Sequence, residues 1–239
     1  MPGRLLLVAT PIGNLEDLSP RAARALAEAD LVACEDTRHS GRLLAHLGIQ
    51  KPLVSLHEHN ERARLPRLLA ALAAGDTVAV VSDAGTPLLS DPGFVLTREA
   101  IAAGHRVEAI PGPSALLAAL VVSGLPPHPF TFAGFPPPKS GRRRTFFRRL
   151  ADLGHTVVLC ESPHRLRASL DDAVTEFGAG RPAVLARELT KLHEEVLRGT
   201  LAGLAGEIAR RERLLGEFVL VVAGGERAGS ADEAMAGGD

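Results

Sequence analysis

A chain of 239 residues, 46% hydrophobic and 23% charged, has the make-up of a soluble globular protein and is long enough for one large or two small domains. Its formal net charge is -1, with 24 Arg and 3 Lys against 28 acidic residues, so bulk charge does not select a polyanion partner. Leu5 to Ala9 is too short an apolar run for a signal-peptide core, no stretch approaches the roughly 18 apolar residues of a membrane span, and Cys34 and Cys160 do not form a metal-binding cluster; a cytoplasmic protein is expected.

Arg4 to Ala9 reads as a strand, followed by the turn Thr10-Pro-Ile-Gly-Asn14. Ser19-Pro20, an N-cap followed by Pro at the first helical position, opens a helix through Glu28. Leu31 to Cys34 is a second strand, delivering Glu35-Asp-Thr-Arg-His39 at its end, after which Ser40 is expected to cap a short helix stopped by Gly48. Leu53 to Leu56 is a third strand leading into His57-Glu-His-Asn-Glu61, where Asn60 can cap the helix Glu61 to Ala74 despite Pro66.

Thr77 to Val81 is apolar on both faces, the pattern of a buried parallel strand. It runs into eleven residues, Asp83 to Gly93, of Gly, Pro, Ser, Thr and two carboxylates. Connections from strand to helix usually take about 2–6 residues, and the carboxyl end of such a strand is where open α/β sheets bind ligands. A helix to Ala103, a strand from Val107 to Ile110 and the turn Pro111-Gly-Pro-Ser114 before the helix Ala115 to Ser123 complete a first domain over 1–123. Gly124-Leu-Pro-Pro-His-Pro129 is the expected linker. A second α/β domain over 130–224 follows, with strands at Phe130–Ala133, His155–Cys160, Ala183–Ala186, Glu195–Arg198 and Phe218–Ala223. Its helices are expected at Arg142–Leu153, Leu166–Phe177 and from Leu201 to about Arg213. The tail 225–239, of Gly, Ala and acid, is expected to be disordered.

No dinucleotide fingerprint, P-loop, zinc-ligand pattern or nucleophile elbow is present. The candidate chemistry lies in small-residue turns at strand ends: Thr10 to Asn14, Asp83 to Gly93, Pro111 to Ser114 and Gly134 to Pro138. Such turns offer backbone N–H and C=O groups to a polar, weakly charged ligand, for instance a nucleoside carrying an amino acid. In local terms Asp83 is also a turn former and Ser114 a helix cap.

Thr10-Pro-Ile-Gly-Asn-Leu15, Cys34-Glu-Asp-Thr-Arg38, His57-Glu-His-Asn-Glu61, Ser82-Asp-Ala-Gly-Thr-Pro87, Asp91-Pro-Gly93, Pro111-Gly-Pro-Ser114 and Ala186-Arg-Glu-Leu-Thr-Lys191 together resemble the tetrapyrrole methylase superfamily, from about Leu5 to Ala223. Within it they are similar to the branch that methylates ribosomal RNA. The resemblance implies homodimers of two α/β domains, with mostly parallel sheets and S-adenosylmethionine in an interdomain cleft. It also implies methylation of the ribose 2′-hydroxyl of one cytidine in the decoding region of bacterial 16S rRNA, on free rRNA or the small ribosomal subunit. Cofactor contacts are then expected from Pro11, Asp83, Gly85, Thr86, Pro87, Ser114, Ala115, Phe135, Glu161 and Ala186. Glu35, Asp36 and His59 become candidates for accepting the hydroxyl proton, and Arg38 and Asn60 for holding phosphate or ribose. Some relatives continue into a helical extension after the last strand, where this chain has a short acidic tail.

Lys139-Ser-Gly-Arg-Arg-Arg-Thr-Phe-Phe-Arg-Arg149 holds six basic residues and no acid. Read alone it is either a solvated helix face or a polyanion-binding patch. With the resemblance, Lys139, Arg142, Arg143, Arg144, Arg148 and Arg149 are expected to contact RNA phosphates while the Phe pair packs inward. Competing functions are a tetrapyrrole or other small-molecule methyltransferase on the same fold, and a non-catalytic RNA-binding module.

Overall fold

Five apolar runs up to Ile110 line up as a single parallel sheet in the computed structural model, which describes residues 3–225. They are β1 (Arg4–Val8), β2 (Leu31–Cys34), β3 (Leu53–Ser55), β4 (Thr77–Val81) and β5 (Arg106–Ile110), in the spatial order β3-β2-β4-β1-β5. The helices between them are α1 (Pro20–Glu28), α2 (Thr37–His46), α3 (Glu61–Ala74) and α4 (Phe94–Ala102). The period-2 alternation of β4 explains why the sheet is covered twice. Ala79 and Val81 pack into the cluster with Leu26 of α1 and Leu44 of α2, whereas Val78 and Val80 pack with Leu68 and Leu72 of α3 and Leu96 of α4. Because all five strands point the same way, every turn that carries chemistry in this half leaves the same edge of the sheet.

The ends of these helices follow local capping chemistry. Ser19 Oγ accepts the Ala22 amide at 3.0 Å, with Pro20 opening α1. α2 starts earlier than expected: Asp36, rather than Ser40, is its cap, with Oδ1 accepting the Arg38 amide at 2.8 Å. Two cap-forming residues lie four positions apart here, and the one immediately after the strand prevails, leaving Ser40 buried in the helix. Asn60 precedes α3 but does not cap it with its side chain. Its Oδ1 accepts the His57 amide at 2.8 Å and its Nδ2 donates to the Ser55 carbonyl at 3.2 Å, stapling the turn between β3 and α3.

The described residues separate into two units, one ending at Ala115 and the other beginning at Leu116, so that α5 (Ala115–Ser123) groups with the second apart from its first residue. The second unit contains β6 (Phe130–Phe132), α6 (Ser140–Ala151), β7 (Thr156–Glu161), α7 (Leu166–Phe177), β8 (Pro182–Arg187), β9 (Glu195–Thr200), α8 (Leu201–Ala209) and β10 (Phe218–Val222). Its sheet runs β6-β7-β10-β8-β9 and is mixed: β6 and β7 are parallel, while β10 is antiparallel to β7 and β8, and β9 is antiparallel to β8. The connection between Arg187 and Glu195 is too short for a parallel crossover, which needs about a dozen residues or more, so β8 and β9 form a hairpin. The α/β layout is as expected. Of the tail expected over 225–239, everything beyond residue 225 lies outside the described residues.

One cluster holds this second unit together, with α6, α7 and α8 on one face of the sheet. Phe147 is fully buried at its centre, its ring centroid 5.6 Å from that of Phe177 and 5.8 Å from that of Phe146. Phe147→Ala is therefore expected to destabilise the protein by about 3–5 kcal/mol. Urea unfolding followed by circular dichroism measures this, and an unchanged midpoint would show that the cluster repacks around the hole.

Candidate functional site

In the first unit the loops that follow β1, β4 and β5 are joined by main-chain and hydroxyl bonds. Thr10 and Gly85 form an isolated antiparallel bridge, with Thr10 N–H donating to Gly85 O at 2.9 Å and Gly85 N–H to Thr10 O at 3.1 Å. Thr10 Oγ1 donates to the Ser82 carbonyl at 3.1 Å, and Ser82 Oγ donates to the Gly85 carbonyl at 3.1 Å. Thr86 Oγ1 donates to the Pro113 carbonyl at 3.2 Å, tying in the turn after β5. Gly85 has φ +83°, and a Cβ there would sit 3.2 Å from Ile12 Cγ2 and 3.5 Å from the Pro113 carbonyl oxygen. Only glycine fits both the conformation and the gap. The structure thus brings Pro11, Asp83, Gly85, Thr86, Pro87 and Ser114 to one edge of the sheet, with Ala115 beginning α5 next to them.

Further along the same loop, Leu88 and Ser90 both have φ +73°. Non-glycine residues in this region cost of order 1–3 kcal/mol each, and such strain clusters at binding and catalytic sites. Three carboxylates gather here. Asp83 Oδ1 accepts the Asp36 amide at 3.2 Å, fastening the loop after β4 to the loop after β2. Partial burial of the Glu35 carboxyl, then the charge of Asp83, push the Glu35 pKa up, although the residue as a whole is exposed. Burial first, then Glu35 and Asp83, push Asp91 from 3.8 to about 6.

Asp36 is the opposite case. The Arg38 guanidinium, 3.1 Å from Asp36 Oδ2, and then the Arg38 amide hold its pKa down at about 2. A carboxylate this acidic is a poor proton acceptor near neutral pH, so of the expected bases Asp36 is the one that the local chemistry disfavours. Arg38 itself is 86% exposed. Solvent screens an exposed ion pair of this kind, so a phosphate can compete for the guanidinium. The side-chain atoms of Asn60 are already engaged in the turn, which makes it a scaffold for the His57–Glu61 segment. His59 is exposed, its ring 6.0 Å from that of the half-buried His57, whose Nδ1 is buried with no hydrogen-bond partner.

In the second unit, Phe135 is 52% exposed on the loop after β6, and Ala186 is buried in β8. Glu161, at the end of β7, is 3% exposed. Its Oε1 accepts from the Ser162 amide and from Arg165 at 2.8 Å each, while its Oε2 is buried and has no partner. The basic helix α6 separates into two groups. Arg143 is only 4% exposed, its Nη2 2.6 Å from Asp172 Oδ2, and it also donates to the Pro138 and Ala168 carbonyls. It is removed from the expected phosphate contacts, because it lies on the same helix face as Phe147 and Leu150 and is used to join α6 to α7. Arg144 and Arg148 share Glu176 at 2.7 and 2.9 Å. Lys139, Arg142 and Arg149 are exposed and have no ion-pair partner among the described residues.

A family profile described as Tetrapyrrole (Corrin/Porphyrin) Methylases matches residues 4–205. The chain belongs to this family. Among tetrapyrrole methylase relatives, the Ribosomal RNA small subunit methyltransferase I of Xylella fastidiosa is 54% identical over 224 residues, covering 93% of this chain and 82% of the relative. The protein of the same name from Mycobacterium tuberculosis is 52% identical over 224 residues, 93% of this chain and 78% of its own length. The crystal structure of uroporphyrin-III-C-methyltransferase from Thermus thermophilus superposes with a TM-score of 0.64 at 25% identity, covering 92% of this chain and 94% of that one. Diphthine synthase, at 18% identity with a TM-score of 0.68 over 92% of this chain and 90% of its own, shares the fold.

Asp91, and Glu61, whose Oε1 accepts the Leu96 amide, are residues of this methylase edge to which the sequence alone assigned no role. Both stand in motifs visible there, but the contacts that matter join segments far apart in the chain. The raised pKa of Asp91 has a sign that can be checked. An acid held above its unfolded value favours folding while protonated and loses that contribution as pH rises from about 4 to about 6. Asp91→Asn is therefore expected to raise the melting temperature at pH 7.5 and to leave it nearly unchanged at pH 4. Asp91 keeps solvent contact, so the gain is of order 1 kcal/mol after screening. Thermal melts across that range test this, and equal shifts at both ends would refute it.

Proposed function

We propose that this protein transfers a methyl group from S-adenosylmethionine to the ribose 2′-hydroxyl of a cytidine in the decoding region of bacterial 16S rRNA. The observation that carries the reading is the 54% identity, over 93% of the chain, to a protein named Ribosomal RNA small subunit methyltransferase I. The likeness to the uroporphyrin methyltransferase, at 25% identity, supports methyl transfer but speaks less for a tetrapyrrole substrate. A homodimer in the cytoplasm, acting on free rRNA or on the small subunit, belongs to the same reading.

The residues of the first unit suit the cofactor. The loop around Gly85 offers main-chain groups where a side chain would obstruct, and Glu35, Asp83 and Asp91 supply negative charge that a ligand bearing sulfonium and ammonium groups would offset. When bound, S-adenosylmethionine supplies an electrophilic methyl group. In this reading Asp83, Gly85, Thr86, Pro87 and Ser114 hold it in the first unit. Alignment of the ribose oxygen is the larger part of the chemistry, since well-oriented reactants gain about 7–11 kcal/mol over free encounter. Arg38, at the exposed end of its ion pair, would hold the phosphate that sets this alignment.

The ribose hydroxyl must also lose its proton. Glu35 is the best-suited acceptor: its pKa is raised rather than lowered, and it stands on the loop next to Arg38. Glu35→Gln is expected to lower single-turnover methylation, measured at saturating S-adenosylmethionine, by about 10²-fold or more. A wild-type rate in that variant would return the role to His59 or to solvent. On α6, replacing Lys139, Arg142 and Arg149 together by Ala is expected to weaken rRNA binding and to flatten its salt dependence by about 1 logarithmic unit for each phosphate no longer neutralised. An unchanged slope would mark a solvated face.

The decisive assay uses small ribosomal subunits from a strain lacking this protein and S-adenosylmethionine labelled in its methyl group. Mass spectrometry of the digested rRNA is expected to find label in 2′-O-methylcytidine. Label on a base, or transfer to uroporphyrinogen with none to rRNA, would overturn the proposal.

A further inference from the structure

α4 begins at Gly93, which has φ +114° and no side chain with which to cap the helix. The first amides of a helix must nonetheless find acceptors. One is supplied from 35 residues away: Glu61, the first residue of α3, is 8% exposed and its Oε1 accepts the Leu96 amide at 3.1 Å. The carboxylate thus sits in the first turn of its own helix and reaches the first turn of another, where both helix dipoles favour negative charge. Glu61 also terminates the His57–Glu61 segment, while α4 receives the chain directly from the Asp83–Gly93 loop. Besides the Asp83–Asp36 bond at its first residue, three fastenings hold that loop: Thr10 to Gly85 near its start, Thr86 to Pro113 just after, and Glu61 to Leu96 past its end. Between the second and third lie Leu88, Ser90 and Asp91, the strained and electrostatically repelled part.

We propose that Glu61 is a positioning residue for methyl transfer, its buried carboxylate fixing the exit of the Asp83–Gly93 loop so that the loop stays set for the cofactor. The inference rests on the assignment of that loop to S-adenosylmethionine. Releasing the Leu96 amide lets the strained residues relax toward ordinary backbone conformations, which withdraws the loop from its set shape without touching the groups that receive RNA.

Three variants separate reach, charge and acceptor. Glu61→Gln keeps an acceptor oxygen at the same distance, Glu61→Asp keeps the charge but is one methylene shorter, and Glu61→Ala removes both. Amide hydrogen exchange on the purified protein without ligand reads the fastening directly. Exchange across residues 83–96 is expected to rise in the Ala and Asp variants and to stay close to the parent's in the Gln variant. Calorimetry with S-adenosylmethionine is expected to show about tenfold weaker binding for Ala and Asp, with Gln within about threefold of the parent. In the methylation assay the same loss is expected in KM for S-adenosylmethionine, with kcat and KM for the subunits held. If Glu61→Ala does not fold, Glu61→Asp against Glu61→Gln still decides the matter. Parent-like exchange in the Asp variant, or a fall in kcat with an unchanged cofactor KM, would overturn the positioning role. A parent protein that binds no S-adenosylmethionine would instead overturn the function proposed for the loop, with the exchange result still judging Glu61.

Discussion

The reciprocal pair of hydrogen bonds between Thr10 and Gly85 is the constraint on which the arrangement of the first unit depends. β1 and β4 are neighbours in parallel register, Val8 opposite Val81, and a parallel ladder would carry them apart into separate loops. The two-bond bridge reverses that divergence just past the strand ends. It requires a residue at 85 that tolerates φ +83° and leaves room for Ile12 and Pro113. Once the bridge is made, the hydroxyls of Thr10, Ser82 and Thr86 find carbonyl acceptors within the same knot of chain. Polar groups that would be costly if buried unpaired are satisfied by the turns themselves.

The same edge sorts its carboxylates by environment. Asp36 is solvated, caps a helix and faces Arg38, so it stays ionised and acts as structure. Among the described residues, Glu35 and Asp91 have no guanidinium beside them; burial first, then Asp83 for Glu35 and Glu35 and Asp83 for Asp91, raises their pKa values, so charge is held there at a cost. Neighbours in sequence, Glu35 and Asp36, thereby receive opposite electrostatic assignments. The separation is what distinguishes a proton acceptor from a scaffold acid where the residue types alone do not.

Much of the architecture was legible because its signals are local. The doubly apolar run of β4, Ser19-Pro20 ahead of α1 and the eleven-residue loop after Val81 each carry a physical reason within a few residues of themselves. What was not legible depends on distant partners. Asp36 and Ser40 are equally good cap residues, and only the backbone geometry leaving β2 selects the first. Arg143 looks like its neighbours until its face is traced through Phe147 and Leu150, and even then its partner Asp172 lies 29 residues on. Strand direction in the second sheet does not show in periodicity, although the short gap between Arg187 and Glu195 carried the signal for a hairpin. Glu61 and Asp91 gain their meaning only from contacts across the unit.

The position of β10 has a consequence for how the molecule is made. β10 is the last strand in order yet lies in the middle of its sheet, paired on one side with β7 and on the other with β8. Until residues 218–222 have been synthesised, the second sheet exists only as two separate pairs, β6 with β7 and β8 with β9, and the apolar faces of α6, α7 and α8 have an incomplete floor. The first sheet has no such dependence, since its last strand, β5, adds to an edge. During translation the first unit can close while the second is still being made, and the second must wait with exposed Leu, Val and Phe for a single late strand. Apolar surface left open in that interval is the kind that promotes aggregation.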